Sequence, residues 1–167
     1  LRQSCAIVRD DEFDSNVYMV SPKAFKSIPG ASFAYWASDD EFGAFSRNAA
    51  LESSGFTAKQ GLATADDFRF LRLWWEVPNN VDWQNFAKGG TYSLYYSDVH
   101  LVVNWKDNGK ELSKFSGSVI RNPQFYFSPG LTWPLRTQSG LGMRLLPAGC
   151  IFGHKGPAIF SDSDCER

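Results

Sequence analysis

Apolar residues along the chain fall into short runs that either alternate with polar residues or stand together. Such runs are typical of β-strands, in which successive side chains point to opposite faces of the sheet. Glycine and proline separate the runs, as at Pro29-Gly30 and Pro129-Gly130, and these residues favour turns. The pattern predicts strands at residues 17–20, 72–77, 99–105, 118–120 and 143–146.

The clearest helical pattern lies at residues 39–53. Ser38 or Asp39 is suited to cap its first turn, and Glu41 lies within that turn, where acidic side chains are favoured. Phe42 begins an apolar face with helical spacing. We therefore predict one well-capped helix in the first third of the chain.

Two local signals complete the predicted fold. Asn108-Gly109 lies between apolar segments and predicts a β-hairpin, while residues 83–88 predict a short helical turn. Together the signals predict a strand-rich α+β fold with few helices and irregular, glycine-hinged loops, forming a single domain over residues 1–167.

Composition narrows the class of protein. The chain has 167 residues, 43% of them hydrophobic, and a net charge of −1, values that are ordinary for a soluble domain. No apolar run reaches the roughly 20 residues that a membrane helix needs, so no membrane partner is expected. The cysteines Cys5, Cys150 and Cys165 cannot all pair within the chain, and reduced thiols suit a cytoplasmic protein.

The two ends of the chain suggest a larger protein. The chain begins at Leu1, without an initiating methionine or a signal-peptide pattern. Residues 161–167 resemble the capped, acidic first turn of a helix that then stops. We expect the chain to be a fragment that ends at the start of a further helix.

The near-zero net charge conceals an uneven distribution. Residues 1–82 carry eight basic and twelve acidic side chains, whereas residues 83–160 carry eight basic and only three acidic ones. No acidic residue lies between Glu111 and Asp162. A stretch of one sign is typical of a surface that faces a polyanion. Neutralisation of this stretch by the folded acidic half is an equally open interpretation.

One segment resembles a catalytic motif of amino-methyltransferases, which place an Asn/Asp-Pro-Pro-aromatic loop after an apolar strand. Asn122-Pro123-Gln124-Phe125 follows such a run, but Gln124 replaces the second proline and removes the rigid turn. A turn opened by Pro123 is the favoured interpretation.

Other candidate chemistry has simple structural alternatives. Gly140-Leu141-Gly142 lacks the strand before and the helix after that a dinucleotide loop needs. His100 lies in a strand-like run, and the loop around His154 and Lys155 is suited either to a phosphate contact or to a plain turn. No His, Cys or carboxylate spacing predicts a metal site or a nucleophilic triad.

Four blocks of sequence together resemble one known family, over most of the chain from Tyr18 to Phe160. They are IPG at 28–30 with AYW at 34–36; GLATADDFRFLR at 61–72 with WWEV at 74–77; FAKGG at 86–90 with VNW at 103–105 and NG at 108–109; and GLTW at 130–133 with RT at 136–137, LPAGCIFG at 146–153 and KGP at 155–157. In this order they resemble the C-terminal target-recognition region of large adenine-specific DNA methyltransferases, which include type IIG restriction-modification enzymes and the methyltransferase of the BREX phage-defence system.

The resemblance implies a DNA-reading domain similar in fold to the recognition domains of type I restriction specificity subunits, which are mixed α/β domains with a curved sheet. In the family, S-adenosylmethionine and the catalytic motif belong to a methyltransferase domain N-terminal to this region. The chain itself is then expected to be non-catalytic and to need no cofactor. Its expected partners are double-stranded DNA and that catalytic domain, in the bacterial cytoplasm.

The resemblance and the charge distribution together suggest the contact residues. Lys88 and Lys155, each beside glycines that allow close approach, are assigned to DNA phosphates, and Arg136 is suited to phosphate or base contact. The full set of predicted DNA contacts is Arg72, Lys88, Gly89, Gly90, Trp133, Arg136, Thr137, Lys155 and Gly156.

A further loop motif consists of Thr64, Asp66, Asp67 and Arg69, which we call the recognition-loop motif. The family usually has Thr-Gly-Asp-Asn here, whereas this chain has Thr64-Ala65-Asp66-Asp67. The change removes a flexible glycine and an amide donor. Close to Arg69 and Arg72, the two aspartates also fit an ion-paired structural turn.

A different class of function stays open beside DNA recognition. Exposed aromatic patches on such a chain would also suit an assembly domain that docks the catalytic methyltransferase domain within a phage-defence complex. No constellation in the sequence supports a stand-alone hydrolase.

Overall fold

The computed structural model of the chain describes residues 17–161. The backbone divides into two compact units, Leu1–Ser54 and Gly55–Arg167. Within the described range the first unit is helical and the second carries the strands. A single domain over residues 1–167 stays a prediction.

The first unit contains the predicted helix, α1, at Asp39–Arg47. Ser38 and Glu41 form a capping box, in which Ser38 Oγ accepts from the Glu41 N–H and the Glu41 carboxylate accepts from the Ser38 N–H. The unit has no strand at 17–20, so that prediction was wrong. Its other elements are 3-10 helices at Ala24–Ser27, Pro29–Ala31 and Leu51–Ser54.

Helix α1 ends six residues earlier than the sequence predicted, at Arg47 instead of residue 53. Asn48 leaves helical geometry, and its side-chain amide donates to the Ala44 carbonyl at 2.9 Å. Satisfying a free carbonyl of the last turn in this way is the usual role of a C-terminal cap. Phe42 is the buried residue of the helix, as predicted.

The second unit contains two four-stranded sheets. In chain order its strands are β1 (Phe56–Lys59), β2 (Leu71–Leu73), β3 (Trp83–Ala87), β4 (Leu101–Asn104), β5 (Gly130–Thr132), β6 (Arg144–Leu146), β7 (Cys150–Phe152) and β8 (Ala158–Ser161). The first sheet has the order β1-β8-β5-β6 and is antiparallel throughout. The second has the order β2-β4-β3-β7, in which β3 and β7 pair in parallel.

Short helices connect these strands. They are α2 (Asp67–Phe70), α3 (Lys106–Lys114) and 3-10 helices at Trp74–Glu76 and Pro123–Phe125. The prediction of a strand-rich α+β fold with few helices is confirmed. Likeness to the recognition domains of type I restriction specificity subunits stays a prediction.

The predicted strands match the structure in part. Strands β4 and β6 lie inside the predicted runs 99–105 and 143–146, whereas the run 72–77 is strand only at its start, in β2, and then turns. The run 118–120 contributes a single bridge, between Ala63 and Val119. The helical turn predicted at 83–88 is wrong, because these residues form β3.

The predicted hairpin at Asn108-Gly109 is also wrong. Asp107, Asn108 and Gly109 have φ values of 51°, 57° and 75°, so the left-handed backbone that such a turn needs is present. The chain continues from there into the last turns of α3 and not into a second strand. The local turn signal therefore predicted the backbone geometry correctly, but the element that follows the turn is a helix and not a strand.

The core of the second unit lies where the two sheets and the short helices meet. Phe70, Phe152 and Phe160 are fully buried, and Phe152 and Phe160 pack ring against ring at 5.2 Å. Cys150 is a buried free thiol, while Cys5 and Cys165 lie outside the described residues. The helix start predicted at 161–167 also lies outside them, except for Ser161, which ends β8.

No helix within residues 17–161 has the length and apolar character required to cross a membrane.

Candidate functional site

A cleft of about 640 Å³ opens in the second unit, with strands of both sheets in its walls. Its lining includes β3 and β4 from one sheet and β5 and β6 from the other. Five of the nine predicted DNA contacts line it, together with an arginine that the sequence did not single out: Lys88, Gly89, Gly90, Arg136, Lys155 and Arg144.

Two glycine-containing loops meet at the cleft. Gly89 follows β3 and has a φ of +107°, and a Cβ atom added to it would lie 2.3 Å from the Lys155 carbonyl oxygen. A Cβ on Gly156 would in turn lie 2.6 Å from the Gly89 nitrogen. These glycines therefore allow the two loops to pack against each other, which is a different reason from the close DNA approach that the sequence suggested.

A third segment, which carries Arg136, is attached to the loop of Lys155. The Leu135 N–H donates to the Lys155 carbonyl at 2.9 Å, and this bond anchors the segment that carries Arg136. The side chain of Arg136 is exposed and lines the cleft. Neither Arg136 nor Lys155 has an ion-pair partner among residues 17–161.

Lys88 is held differently, because its ammonium group pairs with the Asp67 carboxylate. The Thr64 hydroxyl donates to the other oxygen of Asp67 at 2.5 Å. Partial burial alone would raise the pKa of Asp67, but the hydrogen bonds from Lys88 and Thr64 and the charges of Lys88 and Lys155 outweigh it and lower that pKa. Asp67 thus offsets the charge of Lys88 at the edge of the cleft.

Arg144 is the functional candidate that sequence reasoning missed. Its side chain is buried, and its guanidinium donates to the Gly89 and Thr91 carbonyls, so it fixes the loop after β3. Burial lowers the pKa of Arg144. A signal was available: Arg144 and Leu146 share one face of a predicted strand, and an arginine on the apolar face of a strand is unusual.

Four predicted DNA contacts do not line the cleft. Arg72 donates to the Phe68 and Leu71 carbonyls at 2.5 and 2.7 Å, so its guanidinium stabilises the turn between α2 and β2. Trp133 is half-buried, and the Thr137 hydroxyl oxygen accepts from the Ser139 N–H at 3.0 Å. Gly156, the fourth of these residues, is buried behind the cleft wall.

The recognition-loop motif is held together by its own contacts. Asp66 caps α2 by accepting from the Arg69 N–H at 3.0 Å. The Arg69 guanidinium pairs with Glu111 at 2.7 Å. With Asp67 bonded to Thr64 and Lys88, all four motif residues take part in structural contacts. The ion pairs differ from those that the sequence suggested, because Asp67 pairs with Lys88 and Arg69 with Glu111, and neither aspartate pairs with Arg69 or Arg72.

The Asn122 segment forms the turn that was its structural alternative, whereas both interpretations of the loop around His154 and Lys155 stay predictions. Asn122 has left-handed backbone geometry, and its side-chain amide donates to the Gln60 carbonyl at 2.9 Å, in the turn that Pro123 opens. His154 N–H donates to the Leu62 carbonyl, and both His100 and His154 line the cleft. In the described part of the chain, no group of three or more His, Cys, Asp or Glu side chains is arranged to hold a metal ion.

Two curated proteins are similar to the chain. It is 34% identical over 152 residues to the adenine-specific methyltransferase BrxX of Escherichia coli O9:H4 (strain HS), an alignment that covers 85% of this chain and 12% of that protein. It is 26% identical over 167 residues to the adenine-specific methyltransferase PglX of Lacticaseibacillus casei (strain Zhang), covering 87% of this chain and 14% of that protein. No protein-family model matches the chain.

These alignments bear on the resemblance deduced from the sequence. Similarity to a part of adenine-specific methyltransferases is confirmed. The chain spans only 12% and 14% of the lengths of these two relatives, so it corresponds to a small part of each. The narrower resemblance to type IIG restriction-modification enzymes stays a prediction.

Proposed function

We propose that this chain is the DNA target-recognition part of an adenine-specific DNA methyltransferase of the BREX or type IIG kind, and that it is not catalytic by itself. The observation that carries the proposal is the gathering of Arg136, Arg144 and Lys155 around one cleft, with no carboxylate partner for any of them among residues 17–161. Similarity to two adenine-specific methyltransferases supports it.

Cationic groups of this kind supply affinity for duplex DNA by displacing counterions from phosphates. Arg136 and Lys155 are exposed enough to reach the phosphates of a duplex, whereas Arg144 is buried in the cleft and would affect duplex binding through the shape of the loop after β3. Lys88 keeps part of its charge engaged with Asp67. Base readout would fall to polar side chains that vary with the target site.

The methyl-transfer chemistry would belong to a catalytic domain outside this chain. The side chain of Asn122, the nearest counterpart of a catalytic amide, is already bonded to the Gln60 carbonyl. Gly140-Leu141-Gly142 leads into strand β6 and not into a helix, so it does not fit a cofactor loop. S-adenosylmethionine would bind in the catalytic domain, and the complete protein would act in the bacterial cytoplasm.

The affinity of the chain for duplex DNA, measured by fluorescence anisotropy at several salt concentrations, tests the proposal. Two phosphate contacts, at Arg136 and Lys155, predict a slope of about −2 for the logarithm of the association constant against that of salt. Incubation with S-adenosylmethionine and DNA should give no methyl transfer. The absence of DNA binding at low salt, or measurable methyl transfer, would overturn the proposal.

A second candidate function is an assembly domain that docks the catalytic domain. The observation that favours it is the exposure of Phe68, Trp74 and Trp75, large apolar side chains that a partner surface would cover. Tight binding to the separated catalytic domain, combined with no affinity for DNA at low salt, would support this candidate in place of the first.

A further inference from the structure

Arg144 is a buried cation with unused hydrogen-bonding capacity. A guanidinium has five N–H donors, and the described residues engage two of them, through the Gly89 and Thr91 carbonyls. No carboxylate among residues 17–161 pairs with it. Because a buried charge without a counter-charge is unfavourable, the surroundings of Arg144 favour an anionic ligand.

The charges of the residues around Arg144 indicate which kind of anion the cleft would bind. Arg136 and Lys155 line the same cleft, and Asp98 is the single carboxylate in its lining. Asp67 offsets the charge of Lys88 from outside the cleft lining. Two or more positive charges in excess suit a group with several oxygens and more than one negative charge, and arginine favours phosphate because its fork geometry matches the oxygens.

The size and remaining lining of the cleft indicate that the ligand is larger than a phosphate ion. Phe86, Leu101, Leu145 and Pro147 contribute apolar surface to the walls. A volume of about 640 Å³ lies within the range of sites that enclose small organic ligands. A free phosphate would leave most of this volume, and all of the apolar wall, without contact.

We propose that this cleft binds one nucleoside monophosphate unit, with its phosphate at Arg136, Arg144 and Lys155 and its base against the apolar wall. The unit is either a free nucleotide or a single unstacked nucleotide of a DNA strand, and both present the same chemistry. Such a site goes beyond duplex binding, which needs only phosphates on a surface.

Calorimetric titration of the chain with the four deoxynucleoside 5′-monophosphates tests the site. Saturable binding is expected, with the matching deoxynucleosides and inorganic phosphate each at least about tenfold weaker, because each lacks one half of the contacts. Failure of all four monophosphates to bind, or binding of inorganic phosphate as tight as theirs, would overturn the proposal.

A charge placed in the cleft wall provides a matched pair of variants. Leu145 lies in β6, is 54% exposed and lines the cleft, so Leu145→Glu introduces a carboxylate into the wall against which the base would pack, with little effect on folding. Val81→Glu makes the same change at a residue that is 83% exposed and outside the lining. We expect at least about a tenfold loss of nucleotide affinity for Leu145→Glu and less than about twofold for Val81→Glu. Equal effects in two variants with native circular dichroism would contradict the site.

Competition between monophosphates and duplex DNA shows whether the bound nucleotide is free or part of a DNA strand. The same experiment also distinguishes failure of this site from failure of the proposed function. If the occupant is part of DNA, a duplex with one bulged nucleotide binds more tightly than a fully paired duplex, and monophosphates displace it. If the occupant is free, the bulged and the fully paired duplex bind equally tightly, and monophosphates displace both to the same extent because they share Arg136 and Lys155 with the duplex. Duplex binding without monophosphate binding would refute this site and leave the proposed function intact, whereas the reverse result would refute only the proposed function.

Discussion

Ala65 is one of two residues of the recognition-loop segment that differ from the pattern of the resembled family, and it carries backbone strain. Its φ is +60°, in the left-handed region that glycine adopts without penalty. The loop therefore makes a left-handed turn at a position where the backbone geometry favours glycine over alanine.

Ala65→Gly is expected to stabilise the second unit. Relief of the left-handed strain, about 1–2 kcal/mol, exceeds the added entropy of the unfolded chain, so we expect a gain of roughly 0.5–1 kcal/mol. The control is Ala63→Gly, two residues earlier and outside the left-handed region, which should destabilise. Urea unfolding measures the free energy of unfolding of both variants. A loss of stability in Ala65→Gly would show that the turn is not strained.

Gly89 and Gly90 form a second residue-scale test, because they are adjacent and share positive φ values of +107° and +95°. A Cβ on Gly90 meets no atom within 4 Å, whereas one on Gly89 would collide with the Lys155 carbonyl. Both alanine substitutions carry backbone strain, but only Gly89→Ala forces the two cleft loops apart. We expect it to lower the free energy of unfolding by about 2 kcal/mol more than Gly90→Ala does. Similar losses in the two variants would contradict the loop contact.

At the scale of elements, Asp67 joins the start of α2 to the end of β3 through its pair with Lys88. The pKa of Asp67 is lowered in the folded chain, so its contribution to stability is complete above the ordinary aspartate pKa and is lost as the pH falls through the folded value. The relevant window is therefore acidic, below about pH 4.

Asp67→Asn is expected to destabilise the chain by about 1 kcal/mol at pH 6.5, a modest figure because both partners are partly exposed. The difference from the native sequence should shrink as the pH falls below about 4, because the native carboxylate itself becomes protonated there. The midpoint of urea unfolding, determined for both chains at each pH, measures this difference in stability. A difference that stays constant over this range would exclude the ion pair as its cause.

The elements also show which structures sequence patterns predict well. Helix α1 was predictable because its start carries a complete local signal, the Ser38–Glu41 capping box, and strand β4 because its apolar run is long. Strands of three residues, such as β5 and β7, are too short to establish a period of two. At Asn108-Gly109 the local turn was predictable, but the element after the turn depends on tertiary packing, here that of Gly109 against Trp105.

At the scale of the whole molecule, the net charge of −1 combines −4 over residues 1–82, +5 over residues 83–160 and −2 over residues 161–167, and ion pairs within residues 17–161 join the first two of these regions. Asp67 from the acidic half pairs with Lys88, and Asp82 pairs with Lys106 at 4.0 Å, so the neutralisation that stayed open in the sequence does occur at these two lysines. Arg136, Arg144 and Lys155 keep no carboxylate partner in the described part of the chain.

Part of the candidate site was predictable from the sequence: Lys88 and Lys155 from the glycines beside them, and Arg136 from the basic stretch in which it lies. Lys88, Arg136 and Lys155 come together from segments far apart in the chain. The role of Arg144 was not predictable from charge alone, because it depends on which carbonyls the fold presents to it. The same holds for Arg72, whose hydrogen bonds are used within its own turn.

Binding of DNA at the basic cleft of the second unit is tested most directly by charge reversal at Arg136. Arg136 is exposed and lines the cleft, so Arg136→Glu should fold normally. Lys110→Glu makes the same charge change at an exposed position on α3, outside the cleft lining. Duplex affinity as a function of salt is the measurement for both variants.

We predict that Arg136→Glu weakens duplex binding at low salt by at least about tenfold and makes the salt slope shallower by about 1, while Lys110→Glu changes affinity by less than about threefold. Equal losses in the two variants, or an Arg136→Glu chain that binds DNA as tightly as the native one, would contradict DNA binding at this cleft.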